Sequence, residues 1–122
     1  MKTKLITINS NNHKQFYKQY LEIVNPFFNL SNREISVVSL IMYYTYVFRS
    51  IEDLDHRMTA VFSTTCKADI RDELDLTKEY FNNLIFRLRK KGILKGNLIN
   101  SNLYIPIDEN TYELKFNFNV SS

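Results

Sequence analysis

The sequence predicts a single α+β domain, and three observations predict it. Residues 70–94 carry two amphipathic helical patterns that meet at a tight turn. Residues 31–49 carry a strongly capped helix that is apolar on nearly every side. Residues 112–120 alternate apolar and polar without a break. The first two are helix signals, with apolar residues recurring every 3.6 positions; the third is a strand signal, with a period of two. The chain has 122 residues, enough for one domain around one core. Hydrophobic residues are 44% and charged residues 24%, as in ordinary globular proteins, and two Gly and two Pro leave no room for long flexible linkers. No internal repeat or low-complexity segment divides it.

In chain order, residues 2–9 alternate loosely around Leu5, Ile6 and Ile8 and read as a short strand. Residues 10–12 offer several helix caps. A helix follows over 13–24, with Phe16, Tyr17, Tyr20, Leu21 and Val24 on one side. Pro26 ends it, because the residue before a proline is pushed out of helical conformation. Ser31 and Glu34 are spaced as a capping box, and Leu30 and Ile35 as its hydrophobic staple. The helix they open runs over 32–49. Val37, Val38, Leu40, Ile41 and Met42 leave it little polar surface, so it is expected to be the buried scaffold. Residues 50–58 are polar and acidic and read as a loop or a frayed helical extension. Residues 59–64 read as a short strand, with Thr64 or Thr65 capping the next helix over 66–74.

Ile70 and Leu74 share one face of that helix. After a turn, Thr77 is placed to cap a second helix over 78–91, whose face is Phe81, Leu84, Ile85 and Leu88. Gly92 stops it, since glycine tolerates the left-handed conformation that ends helices. A short helix, a tight turn and a longer helix make a helix-turn-helix. Residues 93–98 and 103–107 then read as two strands joined by a turn at 100–102. The strand over 112–120 follows; it is free to pair with the first strand, with this hairpin, or with a second copy.

At these residues the chain resembles a winged helix-turn-helix domain. Ile70, Leu74, Leu76, Phe81, Leu84, Leu88 and the Lys91, Gly92, Ile93, Leu94 ending fall where that motif places its core and its close. Asp75 stands where many members have glycine. Over a longer span the resemblance narrows to RepL-type replication proteins of plasmids and phages. It is carried by FYKQYL at 16–21, LSNRE at 30–34, ADIRDEL at 68–74, KKGILK at 90–95 and LYIP at 103–106. Asn102 and Leu103 stand where that family has a glycine before the tyrosine of its last strand. The resemblance implies a winged-helix core over 13–107, with extra strands at 1–9 and 111–120, within one domain over 1–122. It implies binding of double-stranded DNA in replication or transcription control, in the bacterial host cytoplasm.

The residues bear on that expectation separately. Net charge is +3 and the pI is near 9.0, compatible with nucleic acid. Asn82 and Asn83 face away from the predicted core and are suited to adenine edges; Lys78, Arg87, Arg89, Lys90, Lys91 and Lys95 are suited to phosphate. Glu79 and Phe86 on the same face are not. A phenylalanine turned outward suits a protein partner. Phe86, with Phe116 and Phe118 of the last strand, therefore defines a second expectation. In it the chain is a phage virion component that uses the fold to pack against itself or other phage proteins through its edge strands.

Neither a catalyst nor a cofactor or metal site is expected. Glu52, Asp53, Asp55 and His56 form the one acidic–imidazole cluster, read as a solvated surface run. His13 has no carboxylate or cysteine near it in sequence. Cys66 is the single cysteine, so no intrachain disulfide forms and a reducing compartment is the simpler expectation. No phosphate-cradling glycine loop or zinc-ligand pair occurs. The N-terminal residues lack a signal-peptide pattern, and the apolar run at 35–48 is too short and mixed to span a bilayer. Abundant Asn, Ile, Lys, Phe and Tyr, without Trp, point to an AT-rich genome such as that of a low-GC bacterium, plasmid or phage.

Overall fold

The structure, a computed structural model, describes residues 2–10, 12–104 and 112–120, with side chains over 12–104. It is an α+β arrangement. The elements are β1 (Lys2–Ser10), α1 (His13–Val24), α2 (Asn32–Val47), α3 (Leu54–Val61), α4 (Thr64–Leu74), α5 (Lys78–Lys90), β2 (Leu94–Lys95), β3 (Leu98–Ile99) and β4 (Tyr112–Val120). A 3-10 turn, Asn25–Phe27, follows α1, with Pro26 at its start.

Local chemistry explains most boundaries. The Asn12 side chain caps α1 by accepting from the Gln15 amide at 3.2 Å. Ser31 and Glu34 form the full capping box: Ser31 Oγ accepts from the Glu34 amide, and the Glu34 carboxylate accepts from the Ser31 amide. Thr77 caps α5 through the Tyr80 amide. Helices α4 and α5 end alike. The Leu76 amide reaches back to the Arg71 carbonyl and the Asp75 amide to that of Asp72; the Ile93 amide reaches that of Leu88 and the Gly92 amide that of Arg89. This closure needs a left-handed residue, and Asp75 (φ 55°) and Gly92 (φ 76°) supply it. Only the second is a glycine, so the first stop carries backbone strain.

Helix α2 is the hub. It packs against α1, α3, α4 and α5. Val37, Val38, Ile41 and Met42 are fully buried along it, and each such side chain contributes about 1.5–3 kcal/mol of burial. Its buried hydroxyls are satisfied within the fold: Thr45 Oγ1 donates to the Ile41 carbonyl and Ser39 Oγ to the Ser36 carbonyl. Phe16, Tyr17, Tyr20 and Leu21 of α1, Met58 and Val61 of α3, Cys66 and Ile70 of α4, and Phe81, Leu84 and Leu88 of α5 complete one core. Tyr20 donates its phenol to the Leu103 carbonyl at 2.6 Å, tying α1 to the segment after the hairpin.

Four expectations are corrected. Residues 59–64 are not a strand. Residues 54–61 form α3, which the Asp53 side chain caps through the His56 amide and which buries Met58 and Val61. Ser63, not Thr64 or Thr65, caps α4, because its hydroxyl accepts from the Cys66 amide. The hairpin turns at Gly96 and Asn97, not at 100–102, pairing Leu94 with Ile99 and Lys95 with Leu98. Gly96 has φ 62°, which a two-residue hairpin needs at its first turn position. Asn100 instead braces the hairpin base, donating its side-chain amide to the Gly92 carbonyl and accepting from the Asn102 amide. Leu103 is in a turn and not a strand; 105–107 lie outside the described residues.

The two long strands pair with each other. Strands β1 and β4 run antiparallel, in register from Lys2 opposite Val120 to Ser10 opposite Tyr112. Among the described residues this ribbon is separate from the β2–β3 hairpin. Its register places Ile6, Ile8, Leu114, Phe116 and Phe118 on one face. The side chains of Phe116 and Phe118 lie outside the described residues. No helix among the described residues is long and apolar enough to cross a membrane.

Candidate nucleic-acid interface

Helix α5 presents one face to the core and the other to solvent. Phe81, Leu84, Ile85 and Leu88 are buried, and Lys78, Glu79, Asn82, Asn83, Phe86, Arg87 and Lys90 are exposed. This follows from spacing: with 100° per residue, Asn83, Phe86 and Lys90 lie opposite the buried stripe, and Asn82 and Arg87 flank them. Phe86 is 61% exposed at the centre of that face. Lys90 lies over its ring at 5.6 Å, a cation–π contact.

The expected cations divide into two groups. Arg89 is turned toward the hairpin, where Nε donates to the Gly96 carbonyl at 3.1 Å and a terminal nitrogen to Asn97 Oδ1 at 3.3 Å. Lys91 is turned toward the start of α2, where Nζ donates to the Asn29 carbonyl at 2.9 Å and to Glu34 Oε1 at 2.8 Å. Both therefore hold elements together: Arg89 fixes the hairpin to α5, and Lys91 fixes the end of α5 to the cap of α2. Lys78, Arg87 and Lys95 have no ion pair among the described residues, and all three are exposed.

Glu34 is the anchor of this arrangement. It is 1% exposed. Burial raises its pKa, but hydrogen bonds from Lys91 and Ser31 and the Lys91 charge more than offset this, so the carboxyl titrates below its ordinary value. Its Oε2 is buried without a hydrogen-bond partner, which makes the group dependent on Lys91.

Two cations near α5 escape notice in the sequence because they sit on the preceding helix. Lys67 and Arg71 of α4 line a cleft with Thr64, Lys78, Phe81 and Asn82. Their i, i+4 spacing puts them on one helical face, but only the seating of both α4 and α5 on α2 brings them to the cleft that Lys78 also lines.

The other candidates do not assemble. The Asp53 carboxylate lies 3.2 Å from His56 Nδ1 on an exposed surface, and no group of three or more metal-ligating side chains occurs among the described residues. Cys66 is buried, and burial, reinforced by the Asp69 carboxylate, pushes its thiol up to about 11. That is the reverse of what a nucleophilic cysteine requires. Neither a protein-family model, nor a curated protein, nor a solved structure matches the chain.

Proposed function

We propose that the chain is a non-enzymatic DNA-binding protein of winged-helix type, similar to the RepL-type replication proteins of plasmids and phages, with α5 as its reading helix. The observation that carries this reading is the exposed face of α5, where two asparagines and two cations stand on a helix whose opposite face is locked into the core. Asn82 and Asn83 can each give and accept a hydrogen bond at an adenine edge in the major groove. Arg87 and Lys90 flank them and reach phosphate, and Lys78 and Lys95 extend the positive surface to either end. The hairpin braced by Arg89 serves as the wing. On this reading the protein works in the host cytoplasm on a mobile element's DNA.

The test is binding to a labelled duplex across a salt series. Affinity falls with salt by a log–log slope of about −0.9 per phosphate contacted. Arg87→Ala with Lys90→Ala weakens binding on all sequences and flattens that slope. Binding that is unchanged in the double variant removes α5 from the contact.

One observation favours a second reading. Phe86, 61% exposed, stands at the centre of the same face, where aromatic anchors of protein interfaces sit. In that reading the face packs against another subunit of a phage particle. Phe86→Ala then abolishes a discrete oligomer seen by mass measurement and leaves duplex binding, if any, intact.

A further inference from the structure

The cleft between α4 and the first turn of α5 brings together features that the α5 face does not explain. Thr64, Lys67 and Arg71 occupy one stripe of α4, with Lys78, Phe81 and Asn82 opposite on α5. None of the three cations makes an ion pair among the described residues. Arg71 is half-buried and lines the cleft, with no ion-pair partner among the described residues to hold its charge. The acids of α4 point elsewhere: Asp69, Asp72 and Glu73 lie round the helix from the 64/67/71 stripe, and Glu73 is paired with Lys14. Phe81, 2% exposed, closes one wall with apolar surface, where charges act more strongly than in open water. The cleft has a volume of ≈ 90 Å³, room for several waters or one tetrahedral oxyanion.

We infer that this cleft is a seat for a phosphate group. Arg71 donates from its terminal nitrogens, Lys67 and Lys78 close on the group from the two helices, and Thr64 and Asn82 supply neutral donors. The starts of α4 and α5 add the positive ends of two helix dipoles. The inference deepens the DNA-binding reading and rests on it for the source of the phosphate. With α5 in a major groove, a backbone phosphodiester beside the groove occupies the seat and sets the register of the helix.

The test separates the seat from the reading. Duplex binding is measured against salt for the full chain, for Lys67→Ala/Arg71→Gln, for Lys67→Ala/Lys78→Ala, and for Asn82→Ala/Asn83→Ala, each checked for fold by circular dichroism. Both cleft variants are expected to lower the magnitude of the salt slope by about 1; the asparagine variant keeps the slope and loses sequence discrimination. A wild-type chain that binds duplex, with cleft variants of unchanged slope, overturns the seat and leaves the DNA reading standing. If the wild-type chain binds no duplex at low salt, inorganic phosphate is titrated against the amide resonances of Thr64 and Lys67. Shifts that vanish in Arg71→Gln keep the seat with free phosphate as its source and overturn the DNA reading. No shift overturns both.

Discussion

Replacing Lys91 with methionine tests whether its charge belongs to the fold or to a ligand. Methionine keeps most of the aliphatic stem and removes only the ammonium. Two hydrogen bonds are lost, at 2.9 Å to the Asn29 carbonyl and 2.8 Å to Glu34 Oε1. Breaking a fully buried ion pair by removing one partner costs about 3–5 kcal/mol. Here the carboxylate side chain is 2% exposed but the lysine side chain 35%, so water enters the vacated position and the cost falls to about 2 kcal/mol. For a chain of this size that lowers Tm by about 8 °C. The assay is thermal unfolding of the wild type, Lys91→Met, Glu34→Gln and the double variant at pH 7 and at a series of lower pH values. The double variant recovers about 1 kcal/mol over simple addition, because a neutral amide needs no counter-ion. The pH dependence has a definite sign. The folded Glu34 pKa lies below its ordinary 4.5, so the clasp stabilises fully above that value and is lost as pH falls through the folded value. The gap between wild type and Lys91→Met therefore narrows in acid. A Lys91→Met chain within about 0.5 kcal/mol of wild type at pH 7, or a gap that does not narrow at all as the pH is lowered, refutes the clasp.

Asp75→Gly relieves the left-handed residue that ends α4 (φ 55°), and should raise stability by about 0.5–1 kcal/mol in urea unfolding; a loss of stability would show that the aspartate side chain holds the turn. Cys66, buried and with its thiol pushed up to about 11, should resist a disulfide reagent at pH 8 in the native chain and react once denatured; fast native labelling contradicts its placement in the core.

The legible parts of the fold were those with local chemical markers. Ser31 and Glu34 announce α2 because a capping box needs only two residues at fixed spacing. Thr77 and Gly92 bracket α5 for the same reason. Helix α3 was hidden because its eight residues bury only Met58 and Val61, and Thr59 and Val61 favour a strand when read alone. Packing against α2 decides the matter, and packing is not written in a local window. The hairpin is hidden because Asn100, Ser101 and Asn102 make the stronger turn composition, although a glycine followed by Asn97 between two short apolar runs is itself a turn signal. Of the candidate site, the outward face of α5 follows from the spacing of its buried residues. That Arg89 and Lys91 brace the fold, and that Lys67 and Arg71 join Lys78, depends on which helices are neighbours.

The β1–β4 ribbon has a kinetic consequence. Its innermost pair, Ser10 with Tyr112, joins strands about a hundred residues apart. No other pairing among the described strands spans such a distance; the β2–β3 hairpin closes over two residues. Closing a long loop costs conformational entropy before any ladder bond forms, although each doubling of length adds only about 0.6 kcal/mol. The ribbon is therefore expected to assemble after α2 has gathered the other helices around it, and its amides should exchange with solvent without unfolding the core. A chain that zips its most distant segments together last would leave β1 unpaired until β4 has been made, open in that interval to pairing with a neighbour's strand.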